Sequence, residues 1–300
     1  LTTISLALVV LTGCQADART ASTATLALLG DVMLGRDVRP TEQTFATLEP
    51  SLKSADLTLA NLESPLTKAP AQTESSYVLC ARPENVKYLV EAGFDLLSLA
   101  NNHRLDCGEA GLEETQSTLT KAGLGFIGAD SDPVYREING IRLAFLAFDA
   151  TVGFNIEAAT QAVRSAQQTG AVVIVSIHWG AEYQSGASSN QKQIANELSK
   201  AGAVLIWGHH PHVLQPVEWI NDHKTLALYS LGNALFDQHG LESTRQSALV
   251  QVTLNASGVE KINAIPFLID VSNSRIVEPD PVSAETILGF LKRVTEKSDR

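Results

Sequence analysis

Residues 203–212 read AVLIWGHHPH, an apolar run that passes through Gly208 into three imidazoles interrupted only by Pro211. The short apolar stretch 203–207 has the character of a buried strand, and Pro211 turns the chain into a loop. Three histidines at the mouth of such a strand make a poor core and good borderline ligands for zinc, manganese or iron. A polar loop whose histidines merely cap the strand satisfies the same letters. What decides between the two is what else arrives at that end of the fold.

Four other apolar runs finish in the same way. Residues 25–30 lead into Asp31, and 57–62 carry Asn61 and deliver Glu63. Residues 94–100 open onto Asn101, Asn102, His103 and Asp106, and 172–177 deliver His178, Trp179 and Gly180. Near-continuous apolar strands suit a sheet covered on both faces. Ligands of open α/β sheets gather beyond the carboxyl ends of the strands. Any one of these polar residues is an ordinary cap or turn residue, but five arrivals together predict a centre for one or two divalent transition ions (Mn, Fe or Zn). Asp31 and Glu63 would supply anionic oxygen, Asn102 a neutral carbonyl oxygen, and His178, His210 and His212 nitrogen. His209 is close enough to exchange roles with His210. One carboxylate shared by two ions holds them about 3.5–4 Å apart, the spacing of a hydrolytic pair.

Other residues would surround that centre. His103, next to Asn102, is the candidate proton donor, with Asp106 either orienting its ring or capping the helix that begins near Gly108. Arg36 would grip a substrate carboxylate or phosphate, or else pair with Asp37, Glu42 or another nearby acid. Trp179 and Tyr183 are candidates for a substrate wall or for core packing. Glu182 lies close to His178 without needing to touch an ion. Asn233 and Asp237 complete the rim or make a turn, and His239 is expected at the surface.

Helical spacing of Phe45, Leu48, Leu52 and Ala55 predicts a helix over 44–54, and Pro83 is placed to begin another. Further helices are expected over 108–122, 156–169, 191–201 and 284–295. Asn139-Gly140, between the apolar runs 134–138 and 141–148, is a tight-hairpin signal, so the sheet content is mixed. Strands are also expected over 226–231, 247–254 and 259–267. Together these elements fit two stacked mixed sheets flanked by helices, and 300 residues suffice for one large α/β domain.

The ends and the composition set further bounds. Residues 4–11 form an apolar run too short to span a bilayer, followed by LTGC at 11–14, small residues before a cysteine as at a secretion-signal processing site. The segment resembles a bacterial lipoprotein signal. It implies a signal remnant at 1–13, a lipidated Cys14 opening a polar tether over 14–24, and an extracytoplasmic domain from residue 25 to 300 anchored to a membrane. A net charge of −11 argues against nucleic acid as a partner, though a bound metal reverses the local potential for an anionic substrate. Cys80 and Cys107 could pair in an oxidising compartment. The letters do not bring their α-carbons together, and two separately buried thiols are the favoured reading.

Six motifs in series carry a resemblance: GDVMLGR at 30–36, NLESP at 61–65, NNHRLDCG at 101–108, HWGAEY at 178–183, GHHPHVLQP at 208–216 and YSLGN at 229–233. The chain resembles the bacterial capsule synthesis protein family, which includes the CapA and PgsA poly-γ-glutamate synthesis proteins and is in turn similar to calcineurin-like metallophosphoesterases. The resemblance implies a four-layer α/β/β/α sandwich around a two-metal cleft. It makes Asp31 a ligand of one ion, Glu63 the bridging carboxylate, Asn102 and His178 ligands of the other ion, and His210 and His212 one histidine for each. His103 matches the histidine that protonates the leaving group. Two positions depart from the phosphoesterase pattern: Met33 stands where a histidine is expected, and Glu63 where an aspartate is usual. The implied activity is metal-dependent hydrolysis or transfer on an extracytoplasmic anionic polymer such as poly-γ-glutamate, or on its intermediates. The alternatives are a phosphomonoesterase or phosphodiesterase acting on small phosphate esters, and a noncatalytic polymer-binding subunit working with capsule assembly proteins.

Overall fold

The computed structural model describes residues 22–72, 77–128 and 132–291. The first apolar run becomes β1 (Ala24–Val32), followed by α1 (Glu49–Lys53), β2 (Leu57–Leu62), α2 (Val86–Ala92), β3 (Leu96–Ser98), α3 (Gly108–Lys121) and β4 (Gly125–Ile127). β1 to β4 lie side by side and parallel in one sheet. The chain then builds a second sheet. It runs through β5 (Val134–Ile138), β6 (Ile141–Asp149), α4 (Ile156–Gln168), β7 (Val172–His178), α5 (Ser189–Ala201), β8 (Ala203–His209), β9 (Val217–Ile220) and β10 (Thr225–Leu228). In that sheet the order is β5-β6-β7-β8-β10-β9, with antiparallel edges on a parallel centre.

Where 226–231 was expected as one strand, the structure ends β10 at Leu228 and crosses back to the first sheet. Gly232 makes this possible by adopting φ +68°, and β11 (Asn233–Leu235) then pairs with β1. The expected helix over 44–54 is likewise shortened to α1. Pro50 sits in its first turn, and a proline ring cannot follow a helical turn without clashing with the carbonyl four residues earlier. The hairpin signal holds: Asn139 and Gly140 have φ +51° and +78°, the left-handed pair that a tight hairpin needs. The chain closes with β12 (Gln246–Asn255), β13 (Gly258–Asp270) and β14 (Arg275–Val277), antiparallel strands beside β1, and then α6 (Pro281–Leu291).

Alternation along β1 divides its apolar side chains between two faces. Ala27 and Leu29 join a cluster with Leu52, Leu89 and Leu119 from α1, α2 and α3. Leu26 and Leu28 face a middle cluster with Phe145, Ile174, Leu205 and Trp207 from the second sheet. A third cluster sets Leu146, Val173 and Ile206 against Val163 of α4 and Leu198 of α5. The fold is mixed α/β with two sheets whose parallel strands end on one side of the molecule.

Cys80 and Cys107 are joined by a disulfide with α-carbons 6.4 Å apart, so the expectation of separate thiols is corrected. The loop that carries Cys80 folds back onto the start of α3. It is held there by hydrogen bonds from Gln72 N to Asp106 O and from Leu79 N to Asp106 Oδ2, both 2.8 Å. Cys14 and its flanking signal-like segment lie outside the described residues. Among the described residues no helix is long and apolar enough to cross a membrane.

Candidate metal centre

Both sheets deliver their polar strand ends to one place. β1 contributes Asp31 at a point where its register against β2 shifts, the kind of irregularity that re-aims a side chain. Gly30 allows this approach, since a Cβ there would lie 1.8 Å from Gly232 O, and Asp31 N donates to that carbonyl at 3.0 Å. β2 ends in Asn61 and Glu63, β7 in His178, and the loop after β8 carries His210 and His212. Asn61 Nδ2 donates to Asp31 Oδ1 (2.8 Å), while Asn101 Nδ2 donates to Asn61 Oδ1 (3.1 Å), so two amides brace the carboxylate.

Glu63 decides whether a metal fits. It is fully buried, and neither carboxylate oxygen has a hydrogen-bond partner. Around its Oε1 stand His178 Nε2 and His212 Nε2, each at 3.7 Å, and His103 Nε2 at 3.9 Å. Those separations exceed a hydrogen bond. Those to His178 and His212 suit donors sharing an ion, since ligands bonded at about 2.0–2.2 Å stand roughly 3–4 Å from each other. A buried carboxylate left without partners is costly in an apolar protein and natural around a cation. Among the described residues there are two donor groups, Asp31 with Glu63 and His178, and Glu63 with His210 and His212. Within each, the ligand atoms lie within 4.8 Å of one another, and Glu63 is common to both. The grouping puts Asp31 and His178 together, where the resemblance assigned them to different ions.

Electrostatics follow from this crowding. Burial pushes the Glu63 carboxyl well up, against the opposing charge of His212. Burial also acts to raise Asp31, but the His209 and His212 imidazoles beside it outweigh burial and hold Asp31 well below the usual carboxylate range. Burial drives His178 and His210 down. It opposes protonation of His212 too, yet the Glu63 charge and the Asp31 contact win and push that imidazole up to about 9.

The remaining expected residues fall as follows. Asn102 Oδ1 is 2.8 Å from His178 Nε2, so it sits at the centre's edge. His103 Nδ1 is 2.9 Å from Asp106 Oδ2, which also accepts the Leu79 N–H. Asp106 thus faces His103, and Cys107 takes the position before α3 without any side-chain capping bond. Arg36 borders the cleft, paired through Nε and Nη2 with Asp237, an acid 201 positions away that the local alternatives did not include. Trp179 is core: it is fully buried, donates to Tyr229 O at 2.9 Å and stacks on that ring. Tyr183 is a cleft residue, half exposed beside Glu182, His212 and Asp237 in a cavity of about 460 Å³. His209 belongs to neither donor group; its Nδ1 is 3.5 Å from Asp31 Oδ1 and both ring nitrogens lack a hydrogen-bond partner.

Two residues gain clear roles beyond the rim-or-turn reading. Asn233 Oδ1 receives His212 Nδ1 at 2.9 Å, and Asp237 fixes Arg36. Met33, at the departure from the phosphoesterase pattern, is buried in the outer cluster with its sulfur accepting the Gly35 N–H at 3.0 Å. Arg36, Tyr183, His210 and His212 all have positive φ, between +48° and +94°. Left-handed backbone at bulky residues gathers at sites where function demands it.

A mixed α/β fold of two sheets, with His and carboxylate donors clustered past the strand ends, is consistent with the metal-binding arrangement of calcineurin-like proteins. The chain belongs to the bacterial capsule synthesis protein PGA_cap family, whose model matches residues 25–238. It is 34% identical over 294 residues to the PGA biosynthesis protein CapA of Bacillus subtilis (strain 168), covering 88% of this chain and 77% of that protein. Against the capsule biosynthesis protein CapA of Bacillus anthracis it is 32% identical over 300 residues, covering 87% and 70%. A crystal structure of a hypothetical protein from Thermus thermophilus shares the fold with TM-score 0.56 at 16% identity, over 81% of this chain and 99% of that one.

Proposed function

We propose that this chain is an extracytoplasmic metal-dependent hydrolase or transferase acting on poly-γ-glutamate or its intermediates. The observation that carries the reading is Glu63, a buried carboxylate without partners ringed by three imidazole nitrogens. The relatives named for PGA and capsule biosynthesis supply the substrate class. In this reading residues 25–300 form one domain with a four-layer α/β/β/α architecture, supported by the three separate apolar clusters. Residues 1–13 serve as signal, and the stretch from Cys14 to the start of β1 is a tether lipidated at Cys14. Replacing Cys14 by Ser in the full precursor is expected to abolish lipid labelling, and unchanged labelling would remove the anchor from the proposal.

Asp31, Glu63, Asn102, His178, His210 and His212 would hold one or two ions of Mn, Fe or Zn, which supply Lewis-acid polarisation of the scissile carbonyl and a more acidic water. His103 donates Nδ1–H to Asp106; as the imidazolium, stabilised by that carboxylate, it carries a second proton at Nε2, gives it to the departing γ-amide nitrogen and ends as the neutral Nδ1–H ring. Arg36 uses Nε and Nη2 on Asp237 and keeps Nη1 for a substrate α-carboxylate.

Metal-replete protein should cleave γ-linked glutamate oligomers. Asp31→Asn should lose both metal and turnover. His103→Ala should keep its metal and lose about 10²–10⁴ in rate, the usual worth of a positioned acid. Phosphate release from an ester panel, lost in the same variants, would move the target from amide to phosphoryl. Oligomer binding without turnover under any metal would make the protein a noncatalytic assembly subunit.

A further inference from the structure

A second cavity adjoins the metal cleft and shares one residue with it. About 390 Å³ in volume, it is lined by Arg36, Arg39 and Arg82 together with Gly35, Cys80 and Asn85, and no acidic residue lines it. Arg36 also lines the metal cleft, so one residue borders both spaces. Three arginines converging on one hollow stand out in a chain of net charge −11. Arg39 is held by Nη1, which donates to the backbone carbonyls of Arg36 and Val38, and among the described residues the rest of its guanidinium has no hydrogen-bond partner. Among the described residues neither Arg39 nor Arg82 is in an ion pair; the acid nearest Arg82 in sequence, Glu84, is paired with Lys68 at 2.9 Å.

The walls of this cavity are fixed. Asn85 Nδ2 donates to Leu34 O at 2.9 Å and ties the segment after Arg82 to the loop after β1. Gly35 passes so close to the opposite wall that a Cβ there would lie 2.6 Å from Leu79 O and 2.7 Å from Cys80 O. The disulfide pins Cys80, and with it that wall, to the start of α3. Arg39 and Arg82 are exposed side chains carried on this fixed backbone, and guanidinium groups meet planar or tetrahedral oxyanions with paired hydrogen bonds.

We infer that the Arg36–Arg39–Arg82 cavity is a subsite for a second anionic group of a chain substrate, a carboxylate one or more residues away from the bond at the metal centre. The inference rests on the proposed substrate class, because a γ-linked chain presents a carboxylate on every residue. Arg36 then stands between the two groups, and Arg39 and Arg82 read the flanking one. The same chemistry would accept free phosphate, so the test separates the two sources.

Binding without turnover is the readout. Titration calorimetry would compare glutamate, short and longer γ-linked oligomers, and inorganic phosphate, on wild type and on Arg39→Gln/Arg82→Gln, with metal content and thermal unfolding checking the fold. Wild-type affinity is expected to rise with oligomer length. The double variant should bind longer oligomers about tenfold or more weakly, with a smaller salt dependence, and glutamate as before. Equal affinity of wild type and double variant for long oligomers overturns the subsite while leaving the substrate reading intact. Absence of oligomer binding by the wild type overturns both. Phosphate binding that depends on Arg39 and Arg82, without length-dependent oligomer binding, makes the cavity a free-anion site and overturns the chain subsite.

Discussion

At the scale of single residues, hydrogen-bond inventories settle which atom of each ring faces the centre. Asn233 Nδ2 donates to Gln238 Oε1 and Thr244 O, both at 2.9 Å, so its Oδ1 is the acceptor for His212 Nδ1–H. In the neutral ring that a metal takes, His212 Nε2 then presents its lone pair on the side of Glu63. An amide holding the far nitrogen of a metal-binding imidazole fixes both tautomer and orientation. Asn233→Ala is therefore expected to weaken metal binding about 10–100-fold with the fold retained, measured by competition with a chelating dye. An unchanged affinity would mean that His212 is oriented by something else. Glu63 illustrates the converse case, a group whose lack of partners is itself the signal.

At the scale of elements, strand ends were the most legible part of the sequence. Apolar runs closing on Asp31, Glu63, His178 and the His209–His212 segment needed only their letters to be placed together. Roles set by distant chain were not legible. The partner of Arg36 lies 201 positions away, and the crossing at Gly232 that brings Asn233 to His212 looks in sequence like more of the preceding strand. Pairing of Cys80 with Cys107 was hidden for the same reason, because it follows from how the loop after β2 folds back on α3. That loop gives Asp106 its Leu79 N–H donor. Replacing both cysteines by serine should cost roughly 3–4 kcal/mol of stability by loop entropy for a sequence separation of 27, read by denaturant unfolding. It should also disturb the His103–Asp106 contact, seen as a changed His103 ring resonance by NMR, while metal content is preserved. A resonance that does not move would show the loop to be held without the bridge.

For the molecule as a whole, the crowded centre ties stability to pH in two directions. Without metal, His178 and His210 are driven down by burial and Asp31 is held low, so their contribution is lost as pH falls below the unfolded values. His212, pushed up to about 9, works the other way: its contribution is complete below an unfolded imidazole value of about 6.5 and is lost as pH rises through 9. Glu63, also raised, likewise loses its contribution as pH rises above the usual carboxylate range. Chelator-treated protein should thus be most stable near pH 6.5 and lose melting temperature toward pH 9. A divalent ion binds deprotonated ligands, so loaded protein should hold its melting temperature over that range. Thermal scans with chelator and with added Mn or Zn test this, and parallel curves would refute it.

Placement of β12 against β1 has one more consequence. The family model ends at residue 238, after every proposed ligand, yet residues 24–28 of β1 are laddered to 250–254 of β12. A chain cut at 238 would retain every proposed ligand and bare one flank of its central strand, an apolar edge with unanswered backbone groups. Such a fragment should associate through that edge and sediment as oligomers, whereas residues 22–291 remain dispersed. β12 and β13, which contribute no proposed ligand, thereby act as the shield that keeps a neighbouring copy from extending the sheet.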